Sequence, residues 1–348
     1  MTETLEGTTT AAQSPDPPDL AGKVVRLGHP VTTPARRDPN RHRYHLVGGK
    51  IAVSSAPLWV RTAIGGGLWC GATPLGLRLL GRLGARKTLA RAQRGWARGL
   101  ARALDLRLDI AGVEQIDPHE SYIVAPLHEG FADAIALLHL PLALRFVARD
   151  ELFDWQRLGP ALRDTGQVLI WPENGVRSYR TLLRRAPTIL AGGESLVLFP
   201  QGSILGIEID FLRGPFALAR TLGRPLLPIA LTGAHRVWEH PYTPRLRYSQ
   251  RMSLRVLPPI PAATTQAMSA NELRTTVQRQ LKAVALAGEL APPRHFVPAR
   301  DGYWDGYTYR IDPAFPDLAA EIAAHRRKNC AGSGNKRAPR HIAGRGGS

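Results

Sequence analysis

The chain has 348 residues, 44% of them hydrophobic, enough for one sizeable α/β domain with extensions or for two small domains, so a wholly disordered chain is excluded. Its 46 Lys and Arg residues against 28 Asp and Glu give a formal net charge of +18, which favours association with a polyanion such as an anionic bilayer or a nucleic acid. A genomic bias toward Arg, Ala, Gly and Pro would explain part of this charge without any function. The two cysteines, Cys70 and Cys330, give no disulfide framework and no metal-ligand spacing, so a reducing, cytosol-facing location is expected.

Both ends of the chain have the composition of disordered segments. Residues 1–45 begin with Pro, Asp and Thr and continue into the basic stretch Arg36–Arg43, and the tail over 326–348 contains mainly Gly, Ser, Lys and Arg. Met1–Leu20 lacks the basic and apolar regions of a signal peptide. We expect both ends to be solvated.

Residues 46–104 are predicted to form amphipathic helices at a membrane surface, because leucines recur among arginines at helical spacing. Within this region Thr62–Leu77 is uncharged, but it is shorter than the ~20 apolar residues of a spanning helix and contains several glycines. An interfacial or re-entrant segment is therefore favoured over a membrane span. A core helix of a soluble domain remains an open alternative.

Short apolar runs alternate with helical segments between residues 105 and 290. This alternation predicts an α/β fold, with a mixed, largely parallel central sheet covered by helices on both faces and preceded by the amphipathic helical segment. The predicted strands are Leu106–Ile110, Tyr122–Ala125, Leu144–Ala148, Val168–Trp171, Ser195–Phe199, Leu226–Leu231 and Leu254–Leu257. The predicted helices are Ala132–Leu140, Asp154–Arg163, Ser178–Ala191, Pro215–Leu222 and Asn271–Leu286.

An aromatic C-terminal extension is predicted over residues 291–325. Its loop Tyr303–Tyr309 contains three Tyr and one Trp, which could stack on nucleic-acid bases, lie at a membrane interface or pack as a lid on the domain. The sequence leaves these three interpretations open.

His128 and Asp133 are the candidate chemical groups. In open α/β folds the active site lies at the carboxyl ends of the strands, and His128 follows the predicted strand that ends at Ala125. With His128 in the turn before a helix, Asp133 can reach back to the imidazole and orient it as a general base. The nucleophile would then be a hydroxyl of the substrate. This spacing alone occurs often by chance.

Two other catalytic motifs are excluded. A zinc-protease motif beginning at His128-Glu129 needs a second His at position 132, which is Ala. A serine-hydrolase elbow over Gly193–Val197 lacks its closing Gly, and Ser203 has no such frame either. No dinucleotide or phosphate-loop motif follows a predicted strand.

Four further stretches of the sequence support a functional role for His128 and Asp133. These are Phe146–Phe153, Leu198–Ser203, Phe211–Ala219 and Pro225–Gly233. In order and spacing, together with Pro126–Asp133, they resemble the glycerophospholipid acyltransferase family, whose prototype is 1-acyl-glycerol-3-phosphate acyltransferase. The resemblance covers about residues 120–260.

The resemblance implies an acyltransferase catalytic domain over residues 105–290. It implies acyl-CoA or acyl-carrier protein as donor, His128 as the base that deprotonates the acceptor hydroxyl, and Asp133 as its orienter, with backbone amides of the Gly202 turn as oxyanion donors or acceptor contacts. No metal and no cofactor is implied. The substrate-binding candidates are Glu129, Gly130, Arg177, Arg180, Phe199, Pro200, Gln201, Gly202, Ser203, Arg213 and Pro228.

The sequence departs from the family at the positions that bind the acceptor. Where the family's third block usually reads Phe-Pro-Glu-Gly-Thr-Arg, this chain has Gln201, Ser203 and Ile204 in place of the Glu, the Thr and the Arg. The Arg that usually ends the second block is also missing, because that strand runs into Trp171-Pro172. Loss of an Arg removes a bidentate phosphate clamp, which Arg177, Arg180 or Arg213 could replace.

The predicted reaction is therefore acyl transfer to a lysophospholipid-type acceptor, and 1-acyl-glycerol-3-phosphate is the first candidate for that acceptor. A glycolipid, an amino-acid lipid or a polyol is the alternative acceptor. A distant third hypothesis is a non-catalytic basic protein that binds a membrane or nucleic acid, although nucleic acid is not the expected partner. The predicted location is the cytoplasmic face of an anionic membrane, peripheral or monotopic.

Overall fold

The computed structural model describes residues 26–27, 53–155, 158–172, 174–202, 204, 207–238, 246–288, 309–316 and 320. The predictions for residues 1–45, apart from Arg26–Leu27, and for the tail over 326–348 lie outside these ranges. So do those for Ser203 and for the aromatic loop as far as Thr308.

A seven-stranded sheet forms the centre of the fold. The short strand β1 (Arg26–Leu27) lies outside it, and the sheet contains β2 (Arg107–Ala111), β3 (Ile123–Pro126), β4 (Leu144–Arg149), β5 (Val168–Ile170), β6 (Ser195–Val197), β7 (Leu226–Thr232) and β8 (Arg251–Val256). Their order across the sheet is β2-β8-β7-β3-β6-β4-β5. All neighbours are parallel except the antiparallel pair β7 and β8. A last strand, β9 (Tyr309–Arg310), pairs with β1.

Eleven helices are present among the described residues. They are α1 (Ala56–Gly66), α2 (Thr73–Arg82), α3 (Arg86–Ala103), α4 (Ala132–Leu137), α5 (Asp150–Phe153), α6 (Leu158–Asp164), α7 (Gly175–Ala191), α8 (Gly214–Leu222), α9 (Ala234–Val237), α10 (Ala262–Ala267) and α11 (Ala270–Ala287). A π-helical turn, Gly67–Ala72, joins α1 to α2, and a 3₁₀ turn, Val113–Gln115, follows β2. Within the described ranges, no helix combines the length and the apolar character that a membrane crossing requires.

The sheet buries one hydrophobic cluster on each face. Side chains of α3 and α4 pack on one face, and side chains of α7, α8 and α11 pack on the other. The inner strands β3 and β7 are buried at every residue, as expected of strands covered on both sides, whereas the edge strand β2 contains no buried residue. The predicted α/β class, with a mixed, largely parallel sheet between helical layers, is confirmed.

Helix ends differ from the predicted ones where a local cap sets them. Helix α7 begins three residues before the predicted Ser178, because Asn174 Oδ1 accepts a hydrogen bond from the Arg177 amide at 3.0 Å and caps the helix there. The helix predicted over Asp154–Arg163 corresponds to α6, which spans Leu158–Asp164, and the short helix α5 ends at Phe153, before the predicted range.

Phe216 of α8 is the largest side chain that is fully buried, and it belongs to the cluster covered by α7 and α11. We expect Phe216→Ala to lower the free energy of unfolding by about 3–5 kcal/mol, because the cavity it leaves cannot collapse fully. Val176→Ala, at a position that is 65% exposed on α7, should change it by no more than about 0.5 kcal/mol. Urea unfolding followed by circular dichroism compares the two, and equal effects would contradict this assignment of the core.

Candidate active site

His128 lies at the edge of the sheet where the parallel inner strands end. Strand β3 ends at Pro126, and its neighbours β6 and β7 run parallel to it, so the loops after all three strands meet at this edge. Leu127 continues the pairing, since its amide donates to Ile229 O at 3.0 Å. His128 is therefore the first residue beyond the end of a fixed strand.

One carboxylate oxygen of Asp133, in the first turn of α4, contacts three groups of the loop that carries His128. Its Oδ2 lies 2.6 Å from His128 Nδ1, and it accepts the amides of Glu129 at 2.7 Å and Gly130 at 3.0 Å. When Asp133 is ionised it can only accept hydrogen bonds, so Nδ1 of a neutral His128 then carries the proton and Nε2 keeps its lone pair. The predicted pairing of His128 with Asp133 is thus present as a hydrogen bond.

The side chain of Asp133 is completely buried, whereas that of His128 is 22% exposed. Burial raises the pKa of Asp133 above its ordinary value of 3.8, and the hydrogen bond from His128 is the largest opposing influence. The second oxygen, Oδ1, has no hydrogen-bond partner among the described residues. All of the hydrogen bonding of this carboxylate is therefore directed at the His128 loop.

Two residues of the loop after β6 hold His128 from the other side. Gln201 is 2% exposed, and its Oε1 accepts the His128 amide at 2.6 Å. The ring of Phe199 stacks on the imidazole, with centroids 3.9 Å apart and planes at 19°. A neutral amide oxygen thus meets the backbone of His128, and an apolar ring covers one face of its side chain.

The predicted residues of the Gly202 turn occupy different environments. Gly202 has φ +63°, and its amide donates to Phe199 O at 3.1 Å. That amide is used within the turn, and the role of the other backbone amides of the Gly202 turn as oxyanion donors or acceptor contacts stays a prediction. Pro200 is buried beside it, whereas Pro228 lies in the middle of β7, paired in register with Ala125, and is part of the sheet.

The three candidate arginines differ in their distance from His128. Arg177 lies over the ring of Trp171 at 3.4 Å, just beyond β5, and β5 itself is three strands, or about 14 Å, from β3. Arg180 is one helical turn further along α7 and is exposed. Arg213 is exposed too, but it follows Leu212, whose amide donates to Pro200 O at 2.7 Å, so it adjoins the loop that contacts His128.

Glu129 forms a contact that the sequence did not predict. Its Oε2 accepts the Gly233 amide at 2.7 Å and lies 2.8 Å from His235 Nδ1. His235 stands two residues beyond the last stretch that carries the family resemblance, and no motif marks it. Among the residues that the structure describes, no group of His, Cys, Asp and Glu could hold a metal ion.

Comparisons with known proteins agree with this geometry. An acyltransferase family model matches residues 107–232. A 1-acyl-sn-glycerol-3-phosphate acyltransferase from Bacillus subtilis (strain 168) is 28% identical over 123 residues, which are 34% of this chain and 60% of that protein. The chloroplastic 1-acyl-sn-glycerol-3-phosphate acyltransferase BAT2 from Brassica napus is 28% identical over 134 residues, 38% of this chain and 39% of that protein. The chain therefore matches between about two fifths and three fifths of the length of these relatives.

A solved structure has the same fold. The crystal structure of the 1-acyl-sn-glycerophosphate (LPA) acyltransferase PlsC from Thermotoga maritima aligns with a TM-score of 0.55 at 19% identity, over 66% of this chain and 94% of that one. The part of the chain that matches the acyltransferase family model, residues 107–232, contains both His128 and Asp133. The predicted resemblance to the glycerophospholipid acyltransferase family is confirmed by these matches.

The raised pKa of Asp133 predicts a stability effect with a definite sign. A carboxyl whose folded pKa lies above its unfolded pKa stabilises the fold less as pH rises from about 4, because the buried charge must then form. Asp133→Asn has no such charge, and its amide oxygen can still accept the Glu129 and Gly130 amides. We expect the stability difference to shift in favour of the variant between pH 4 and pH 8, as measured by urea unfolding. A difference that does not vary with pH would contradict this.

Proposed function

We propose that the protein transfers a fatty acyl group from acyl-CoA or acyl-carrier protein to a hydroxyl of a lysophospholipid-type acceptor. The first candidate for this acceptor is 1-acyl-glycerol-3-phosphate. The observation that carries the proposal is the hydrogen bond between His128 Nδ1 and a fully buried Asp133 at the catalytic edge of an acyltransferase-type sheet. The names of the two curated relatives support the choice of acceptor.

The reaction that this pair can perform is a direct transfer. His128 Nε2 takes the proton of the acceptor hydroxyl while its oxygen attacks the thioester carbonyl, which gives a tetrahedral intermediate and an imidazolium. Asp133 holds the imidazole in the required tautomer and stabilises the imidazolium. Collapse of the intermediate breaks the carbon–sulfur bond, and the imidazolium proton passes to the departing thiolate. The products are an ester and a free thiol, so no protein nucleophile is needed.

The residues proposed to bind the acceptor would bind a phosphate more weakly than those of the family pattern. Position 204 is Ile, 7% exposed, where the family has an Arg, and Gln201 is neutral where the family has a Glu. Of the three candidate arginines, we propose Arg213 for binding a phosphate near His128, because the amide of the preceding Leu212 donates to Pro200 O. An acceptor without a phosphate, such as a glycolipid, an amino-acid lipid or a polyol, is the second candidate.

The central experiment incubates purified protein with labelled acyl-CoA or acyl-carrier protein and a panel of hydroxyl acceptors. We expect transfer to lysophosphatidate, and a loss of about 10²- to 10⁴-fold in kcat for His128→Ala, since it removes the general base. His139→Gln serves as the control, because within the described part of the chain the His139 ring bonds to Ile135 O of the helix that precedes it and to no residue of the site. Undiminished transfer by His128→Ala would refute the mechanism. Transfer to unphosphorylated acceptors alone would select the second candidate.

The helices before the sheet support a membrane-surface location as part of the proposal. Apolar residues exposed to solvent recur at intervals of four or seven residues from α1 through the π-helical turn to the end of α2, and we call them the apolar stripe. The stripe consists of Val60, Ile64, Leu68, Leu75, Leu79 and Leu83, each between 48% and 69% exposed. Exposed leucines and isoleucines aligned on one side of a helical segment suit burial at the boundary of headgroups and acyl chains.

Helix α2 is attached to the domain that carries the site through residues that are not part of the stripe. Arg78 Nε and Arg82 Nε lie 2.6 and 3.1 Å from the two carboxylate oxygens of Asp164 at the end of α6. Gly81 permits this close packing, because a Cβ there would lie 2.0 Å from Asp164 O. The stripe is therefore held in a fixed relation to α6.

Leu75→Ser with Leu79→Ser should weaken binding to anionic phospholipid vesicles roughly tenfold or more, because two exposed leucines would no longer be buried in the bilayer. Sedimentation with vesicles measures the bound fraction. The control is Val284→Ser with Leu286→Ser, which removes two apolar residues of similar kind, 38% and 41% exposed on α11. An equal loss in both double variants would argue against the stripe as the membrane contact.

A further inference from the structure

The loop that carries His128 contains a second histidine–carboxylate contact, between Glu129 and His235. Glu129 Oε2 accepts the Gly233 amide at 2.7 Å and lies 2.8 Å from His235 Nδ1. The side chains of Glu129 and His235 are 11% and 15% exposed, so water largely cannot replace these hydrogen bonds. The acyl-transfer mechanism described above uses neither residue.

The anchor point of Glu129 is a rigid turn at the end of β7. Gly233 has φ +94°, a conformation that favours glycine, and a Cβ there would lie 2.5 Å from Arg251 O on β8. The amide that Glu129 accepts is therefore fixed by the antiparallel pairing of β7 with β8. The loop after β3 is fastened to a turn that cannot easily move.

We propose that Glu129 and His235 are positioning residues for His128, fastening its loop to the turn after β7 and thereby keeping its imidazole in line with Asp133. This inference rests on the proposed acyl transfer and deepens it. Glu129 and His235 act only by positioning His128, and neither has to contact a reacting atom.

The coupling runs through the backbone of Glu129 itself. Its amide donates to Asp133 Oδ2 at 2.7 Å while its side chain holds Gly233 and His235. A shift of Glu129 would break one of the three hydrogen bonds on that oxygen and move the preceding residue, His128. Because the His128 amide is held by Gln201 at 2.6 Å, the loop is fastened to β6 on one side and to β7 on the other.

The negative charge of Glu129 also makes a hydrogen-bond donor such as His235 favourable beside it. The negative charge of Glu129 adds to that of the nearby Asp133 and contributes to its raised pKa. A hydrogen bond from His235 Nδ1 gives the Glu129 carboxylate a second donor besides the Gly233 amide. Removal of His235 alone would leave a largely buried carboxylate with only the Gly233 amide, which is costly.

The test compares turnover in variants that separate geometry from charge. Glu129→Ala removes the anchor, whereas Glu129→Gln retains an oxygen that can accept the Gly233 amide. We expect Glu129→Ala and His235→Ala each to lower kcat roughly ten- to hundredfold by displacing His128, with KM changed less than about twofold. Glu129→Gln should restore most of kcat, and the double alanine variant should be no slower than Glu129→Ala.

The matched control is Glu194→Gln. Glu194 is a buried carboxylate, 5% exposed, and it pairs with Arg145 at 2.5 Å just before β6, at the opposite edge of the sheet. It should lower stability without changing kcat. Glu129→Ala that loses stability but keeps the wild-type kcat would overturn the proposal, because the contact would then be a structural cross-link only.

A second readout does not depend on acyl transfer. In the full-length protein labelled with ¹⁵N-histidine, the ring signals of His128 are assigned through His128→Asn and its Nδ1–H tautomer is followed by NMR. We expect Glu129→Ala to shift and broaden the His128 signal, with no change in Glu194→Gln. A shift of the His235 signal alone overturns the proposal.

The two readouts separate failure of this inference from failure of the proposed function. If the wild type transfers no acyl group, the proposed function fails while the NMR comparison still decides whether Glu129 positions His128. If Glu129→Ala does not fold, His235→Gln takes its place. An unchanged His128 signal together with an unchanged kcat in that variant overturns the inference.

Discussion

The convergence of three hydrogen bonds on one oxygen of Asp133 is the constraint on which the site depends. A buried carboxylate is costly unless it is hydrogen-bonded, and here the His128 ring and two successive amides of its loop supply those bonds. The loop cannot leave this conformation without leaving the buried charge unsatisfied. The parallel strands and α4 therefore set the position of His128, and the cost of burying Asp133 without hydrogen bonds keeps His128 there.

Negative charge near His128 is distributed differently from what the family pattern suggests. Gln201 stands where the family usually has a Glu, and its neutral Oε1 accepts the His128 amide at 2.6 Å. A carboxylate could accept the same bond, but it would add a charge beside Asp133. In this chain Glu129 already contributes such a charge, and it is satisfied by the turn after β7. A neutral residue at 201 and a paired Glu at 129 are therefore mutually consistent.

The parts of the fold that depend on local patterns could be predicted from the sequence. Buried inner strands are nearly continuous apolar runs, so β3, β4 and β7 lie within one residue of their predicted ends, and the strand–turn–helix context of His128 indicated that Asp133 could reach back. Helix starts were less accurate where a single side chain, such as Asn174, sets them. The contact of Glu129 with His235 could not be predicted, because the two residues are 106 positions apart and meet only through the pairing of β3 with β7.

The same sheet order decides which cation could serve a phosphate-bearing acceptor. In a 1-acyl-glycerol-3-phosphate the attacked hydroxyl and the phosphate are on neighbouring carbons, so a cation that binds this phosphate must lie close to His128. Arg177 stands beyond β5, about 14 Å across the sheet from β3, and stacks on Trp171. Arg213 instead follows a residue bonded to Pro200, whose neighbour Gln201 holds the His128 amide. With Ile204 in place of the usual arginine, phosphate recognition in this chain would rest on Arg213, and an acceptor without a phosphate would leave that side chain in water.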